Sequence, residues 1–406
     1  MSGSRRSEAT VSDSLSVMQR WLRQPEKLSG LLTVLAIAAA LAMANSPLRG
    51  LYEYVHHTPV ALQVGGLVVQ KPLVLWINEG LMVFFFLLVA LELKREALEG
   101  HLASPARVAL PAFAAAGGML APAALYLAFT WGDPAASRGW AIPTATDTVL
   151  ALAALHALGT RVPASVKAFL TALAIFDDVG AIVILAAIFT KDLSLVSLLF
   201  AALGVLALAA LNRLGVTRTS AFVVLGAGVW VAVLESGVHA TLAGVLIGLA
   251  IPMRAKGRQD SPLLAAERGL RPWVALGVVP LFAFFNSGLR LPALGADELS
   301  TAVALGAAVG LVIGKQAGIL GAAWIAVRLG MARLPAGANW MHIYGAALMA
   351  GIGFTMSLFF AGVAFANQPA LTLSARVGVL AGSLASAVLG AAFIVFAARR
   401  NRAGRQ

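Results

Sequence analysis

Ala172-Leu-Ala-Ile-Phe-Asp-Asp-Val-Gly-Ala-Ile-Val-Ile-Leu-Ala-Ala-Ile-Phe189 places two adjacent carboxylates, Asp177 and Asp178, inside a run that is otherwise hydrocarbon. An apolar stretch of this length reads as a membrane-spanning helix. A charged side chain near the middle of such a helix costs roughly 2.5–3.5 kcal/mol on insertion scales. Two side by side are hard to explain unless they bind protons or cations. Adjacent helical residues project about 100° apart, so the two acids cannot both face one ligand squarely. One is expected to line an ion path and the other to reach a neighbouring helix.

The rest of the chain shares the character of that run. Of 406 residues, 60% are hydrophobic and 12% charged, with a mean hydropathy of +0.86. A soluble domain of this size cannot hide so much apolar surface, so the chain reads as an all-α polytopic membrane protein. The absence of cysteine removes disulfides, thiol chemistry and cysteine-based metal sites. The net charge of +12 is spread over alternate loops and forms no basic face, which argues against nucleic acid as a partner.

Apolar runs separated by short loops predict about twelve transmembrane helices. They lie near 30–46, 76–93, 108–131, 140–158, 165–189, 193–211, 219–234, 237–251, 273–289, 301–327, 341–366 and 373–398. With the N-terminus in the cytoplasm, the cytoplasmic loops collect 23 of the 30 lysines and arginines. Arg49, Lys71, Arg138, Lys191, Arg290 and Arg376 fall outside, and Lys315 lies within a span. That asymmetry is the positive-inside pattern and puts both termini in the cytoplasm. The polar leader is long for a signal peptide, so residues 1–28 are expected to be an uncleaved tail, 29–399 one transmembrane domain, and 400–406 a basic C-terminal tail. Thr58-Pro-Val-Ala-Leu-Gln-Val-Gly-Gly-Leu-Val-Val-Gln-Lys71 holds two β-prone runs around a glycine pair and reads as a hairpin. A lone hairpin is marginal in water, so it is expected to pair with a second copy or to pack on its own helix ends.

Four ionisable residues lie deep in these spans: Asp147, Asp177, Asp178 and Lys315. Their summed insertion penalty is roughly 10 kcal/mol, which falls if they share one polar cavity. A cluster serving only to join helices has no need of three acids against one base. Two spans look interrupted. In Trp140-Ala-Ile-Pro-Thr-Ala-Thr-Asp147-Thr, Pro143 breaks the ladder while Thr144, Thr146 and Thr148 supply hydroxyls; in Gly351-Ile-Gly-Phe-Thr-Met-Ser357, Gly351 and Gly353 loosen the backbone beside Thr355. Irregular backbone at membrane depth survives where it is buried in protein or lines a cavity. One such span in each half points to an inverted-repeat transporter. His239, Glu92 and Glu267 are candidates for a pH response, with Glu79 and Glu92 read as solvated helix ends and residues 254–271 as a cytoplasmic loop.

Ala-Thr-Asp147-Thr, Leu-Ala-Ile-Phe-Asp177-Asp178-Val-Gly-Ala-Ile, Ser-Gly-Val-His239-Ala-Thr-Leu-Ala-Gly, Pro280-Leu-Phe-Ala-Phe-Phe-Asn286, Ile-Gly-Lys315 and Ala-Gly-Ile-Gly-Phe-Thr355-Met-Ser closely resemble the NhaA-type sodium/proton antiporters. The likeness runs in order from about residue 30 to 395. The inverted-repeat rule used above includes this family among its examples. The resemblance implies twelve helices, with spans 3–5 and 10–12 as inverted-topology repeats and spans 4 and 11 as broken crossing helices. It also implies a homodimer through the hairpin at 58–71 and a place in the bacterial inner membrane. By motif position Asp178 is the main sodium ligand, Asp177 its proton-exchanging neighbour and Lys315 the coupled cation. Asp147, with Thr146, sits at the crossing and balances the half-helix dipoles. Around Glu267 the family carries histidines where Arg268 and Arg271 stand here, so the family's cytoplasmic pH sensing is either lost at this loop or shifted to lower-amplitude control.

The function implied is electrogenic exchange of Na⁺ or Li⁺ for H⁺ by alternating access, serving pH and sodium homeostasis, with no cofactor. The chain has no Walker-type glycine loop and no ATPase-sized soluble domain, so an ion gradient must drive it. The alternative is a sodium-coupled symporter of an organic anion. That reading needs a large polar pocket with an intramembrane arginine or helix N-terminus to hold the anion, and the sequence offers no such arginine.

Overall fold

Every one of the expected apolar runs contains helix, and the interruptions fall at the predicted proline and glycines. The computed structural model describes residues 25–64, 67–100, 105–190, 193–253, 261–290 and 301–403. The arginines of the N-terminal tail, the Gly65-Gly66 tip, Lys191, residues 254–260 and the last three residues lie outside these ranges.

In chain order the helices are α1 (Pro25–Ala44), α2 (Arg49–His57), α3 (Leu73–Leu98), α4 (Pro105–Phe129), α5 (Thr148–Ala157), α6 (Ala164–Ile188), α7 (Leu195–Arg213), α8 (Thr219–Leu234), α9 (Leu242–Ala250), α10 (Pro262–Asn286), α11 (Ala302–Arg328), α12 (Trp340–Ala350), α13 (Phe354–Ala364) and α14 (Pro369–Ala403). Among the described residues eight helices are long and apolar enough to cross a bilayer, and α12 with α13, bent by 43°, makes a ninth. The other three runs are shorter: α8 has 16 residues, α9 has 9, and the fourth run is split into a 3₁₀ segment, Arg138–Thr144, and α5. Helix α7 presents Leu199, Phe200, Leu203 and Leu206 outward, as a lipid-facing span must.

Strands β1 (Pro59–Val64) and β2 (Leu67–Pro72) pair antiparallel, with Pro59 opposite Pro72 and Val64 opposite Leu67. The two β-prone runs are only two residues apart in sequence, and so short a separation sets the register of an antiparallel pair.

One expectation is corrected at α10. Residues 262–271 belong to a continuous helix and not to a loop. Ser261 caps it by accepting the Leu264 N–H, and Pro262 sits at its first position, where a missing donor costs nothing. Pro272 is accommodated because a π turn, Val274–Val278, follows it and loosens the ladder.

The core-positioning contact is between α4 and α11. A β-carbon on Gly117 would overlap the Gly318 carbonyl, and one on Gly318 would overlap the Gly117 carbonyl. The two backbones therefore touch, which only glycine permits. A further π turn, Gly310–Gly314, immediately precedes Lys315, and Gly310 and Gly314 pack on Pro143 and Pro122. The triplet α4, interrupted span, α6 recurs as α11, interrupted span, α14. The two triplets bring their breaks together in the interior.

Candidate ion site at the crossing of two interrupted helices

The 3₁₀ segment that holds Pro143 ends at Thr144, and Ala145 (φ −100°, ψ 148°) and Asp147 (φ −76°, ψ 96°) are extended before α5 begins. Opposite it, α12 stops at Ala350 and α13 starts at Phe354. The breaks bond directly: the Asp147 N–H donates to the Ile352 carbonyl at 2.6 Å. Gly351 and Gly353 are needed for this approach. A β-carbon on Gly351 would come 2.6 Å from the Leu311 carbonyl oxygen, and one on Gly353 would come 3.0 Å from the Ala145 carbonyl oxygen. Their role is close contact, since neither has a positive φ.

Asp147 joins both half-helix N-termini with a single side chain. One carboxylate oxygen accepts the Leu150 N–H of α5 at 2.9 Å. The other accepts the Thr355 N–H at 2.9 Å and the Thr355 hydroxyl at 2.6 Å, both from the first turn of α13. A negative charge is favoured at each of these positive helix ends.

Asp177 and Asp178, on α6, take different partners, as their angular separation requires. Lys315 donates to Asp177 Oδ2 at 2.5 Å, and both side chains have zero exposure. The Thr146 hydroxyl lies 2.6 Å from the same oxygen and 2.9 Å from the Ala350 carbonyl. A hydroxyl has one proton, so it serves one acceptor at a time. Asp178 is 4% exposed, and its contact is a long one, from the Thr148 hydroxyl to Oδ2 at 3.4 Å. Asp177 Oδ1 and Asp178 Oδ1 are buried with no hydrogen-bond partner. Burying a carboxylate oxygen without a partner is costly, so a proton or a cation would be stabilised at either atom. Thr144, grouped with them in the sequence, bonds instead to the Ala141 carbonyl at 2.7 Å and does not join the site.

The three residues singled out for a pH response do not form one group. Glu92 and Glu267 meet through Arg271, at 2.8 and 2.6 Å, and Arg95 reaches Glu267 at 3.0 Å and Glu96 at 3.1 Å. Glu267 is buried, at 5% exposure. The expectation of a solvated end at Glu92 is therefore corrected: the side chain is three-quarters buried and ion-paired. Glu79 likewise pairs with Lys71 at 2.5 Å. His239 lies elsewhere, bonded to the Thr241 hydroxyl at 2.7 Å and edge-on to the Phe359 ring. Asn78 and Asn286 exchange side-chain amide bonds at 2.8 and 3.2 Å across α3 and α10. Sequence pattern alone had no means of pairing them.

Fold and site together define a multi-pass membrane protein whose two interrupted spans cross at buried acids. The chain belongs to the family described as Na⁺/H⁺ antiporter 1, whose model matches residues 20–394. It is 50% identical over 382 residues to the Na(+)/H(+) antiporter NhaA of Pseudomonas putida (strain GB-1), covering 94% of this chain and 98% of that protein. It is 48% identical to Na(+)/H(+) antiporter NhaA 2 of Saccharophagus degradans, covering 91% and 97%, and 50% identical to the Na(+)/H(+) antiporter NhaA of Shewanella amazonensis, covering 90% and 93%.

Proposed function

We propose that this chain is an electrogenic antiporter of the secondary active class, moving Na⁺ or Li⁺ out of the cell in exchange for external protons. The observation that carries the reading is Asp178. It is a carboxylate sealed in a membrane interior, it has almost no protein partner, and it adjoins a second acid already matched to a lysine. A monovalent cation or a proton satisfies it equally well in charge, which is the requirement for exchange at one site. The names of the relatives support the same reading.

Asp178 takes the cation in this scheme, with Asp177 beside it. Lys315 holds Asp177 when that acid is ionised and is freed when it is not. Asp147 keeps the half-helix ends together while one repeat moves against the other. If two protons leave for each cation, one net charge crosses per cycle, and each is worth roughly 2.3 kcal/mol per 100 mV. The rival reading, symport of an organic anion, has less support: among the described residues no arginine bonds to Asp147, Asp177 or Asp178, and Arg376 lies beside Tyr52.

The Glu92–Arg271–Glu267–Arg95 cluster is the natural seat of a pH response, because Glu92 lies within electrostatic reach of Asp178. The transporter domain spans 29–399 between the tails 1–28 and 400–406. It lies in the bacterial inner membrane with both ends cytoplasmic, on the positive-inside argument. The hairpin has unpaired edges among the described residues, and a second copy of the chain would cover them.

The deciding experiment is Na⁺-driven proton movement in everted vesicles. Asp178→Asn is expected to abolish it; exchange at the wild-type rate in that variant would remove the basis of the assignment.

A further inference from the structure

Several threonines in or at the ends of the spans spend their hydroxyl on the preceding helical turn. Thr33, Thr130, Thr171 and Thr190 each donate to the carbonyl four residues back, at 2.8–3.0 Å. Thr148 does not do so. It is the first residue of α5, and residues 145–147 before it are not helical, so its hydroxyl has no preceding turn of its own helix to bond. The broken span therefore leaves this hydroxyl free. It points to Asp178 Oδ2 at 3.4 Å, too long for a strong charge-assisted bond. The other oxygen of the same carboxylate is buried with no partner, as is Asp177 Oδ1. Thr148 is half-buried whereas Asp178 is sealed, so the hydroxyl sits on the more open side of the acid.

We propose that Thr148 is a direct ligand of the transported alkali cation, its hydroxyl oxygen completing the site that Asp178 begins. A hydroxyl has a rotatable proton and two lone pairs. With the acid empty and ionised it donates to Oδ2; with a cation between them the proton turns away and a lone pair faces the ion. The 3.4 Å gap is a separation that can open around an ion without moving the helices. Thr355, at the start of the other half-helix, has an equally free hydroxyl, but it is committed to Asp147 at 2.6 Å. Of the two, Thr148 is the one available to cargo. The inference rests on the reading of Asp178 as the cation site.

The test uses the full-length protein in liposomes loaded with a pH-sensitive dye. Thr148→Val keeps the shape and removes the hydroxyl; Thr148→Ser keeps the hydroxyl; Asp178→Asn is run beside them. A ligand lost from the bound state raises KM and leaves the maximal rate in place. The expected rise for Na⁺ and for Li⁺ in the valine variant is about tenfold, typical of a lost hydrogen-bonding group at a charged centre. The serine variant is expected to restore KM. A valine variant with KM within twofold of wild type overturns the proposal. So does one whose maximal rate falls at constant KM, since that is the signature of a packing role. If the valine variant fails to fold, Na⁺ titration calorimetry on purified Thr148→Ala and Thr148→Ser decides the same question: equal affinities in the two overturn it. Retained exchange in Asp178→Asn would instead sink the underlying site reading, whatever the threonine variants do.

Discussion

Replacing Lys315 with methionine separates what holds the crossing together from what runs the transport. Lys315 and Asp177 are both fully buried and 2.5 Å apart. At an effective dielectric near 20, two unit charges at that distance attract by about 6–7 kcal/mol. Taking both out of water costs several kcal/mol each, so the intact pair is close to neutral in net stability. Removing one partner leaves the other charged, buried and unmatched, and the expected loss is about 3–5 kcal/mol. Methionine fills most of the lysine volume, so little of that loss comes from a cavity. The double variant Lys315→Met with Asp177→Asn removes both charges and should recover most of the loss, to within about 1–1.5 kcal/mol of wild type. Detergent-titrated unfolding of the purified protein measures both variants against wild type. A Lys315→Met protein as stable as wild type, or a double variant no better than the single, would refute the buried-pair argument.

Two further outcomes follow from other parts of the fold. Gly318→Val should prevent α4 and α11 from meeting and eliminate folded protein, whereas Gly321→Val, on the same helix with open space where its β-carbon would stand, should be silent; size-exclusion yield in detergent distinguishes them. His56, on α2, donates to the Phe285 carbonyl, and burial pushes it down to about 4, partly offset by that bond. Its unfolded value is near 6.5, so its contribution to stability is present above that pH and is lost as pH falls toward 4. The difference in melting temperature between wild type and His56→Asn should shrink from pH 7.5 to pH 4.5; an unchanged difference would show that His56 does not titrate with unfolding.

The helices and their breaks were legible because lipid enforces long apolar runs and makes exceptions conspicuous. Pro143, Gly351 and Gly353 mark the breaks, and the four buried charges mark the interior. The hairpin was legible from two short β-prone runs about a glycine pair. What stayed hidden depends on neighbours distant in sequence. The π turns at Trp76–Leu81, Val274–Val278 and Gly310–Gly314 carry no local signature, because an extra residue in a helical turn is tolerated only where packing accommodates it. Glu79 and Glu92 looked like solvated ends because an isolated charge at a span terminus usually is one, and Glu267 and Arg271, which join Glu92 in the cluster, were read as part of a loop. Ser261-Pro262 is a helix-start signal, but the charge of residues 254–271 alone decided their reading as a loop. Which of Asp177 and Asp178 meets Lys315 depends on the rotation of α6, a quantity fixed by packing.

The single side chain that ties the two half-helices has a consequence for valence. Asp147 faces two helix N-termini, and Asp177 faces an ammonium group. Two of the three negative charges are therefore answered by the protein itself, leaving Asp178 with a deficit of one. A proton or a singly charged ion restores neutrality there. A calcium or magnesium ion would overshoot by a full unit in a medium that stabilises excess charge poorly, and among the described residues no third acidic, histidine or cysteine side chain gathers to absorb it. On the proposed reading of Asp178 as the cation site, counting charges in the core would by itself disfavour divalent ions.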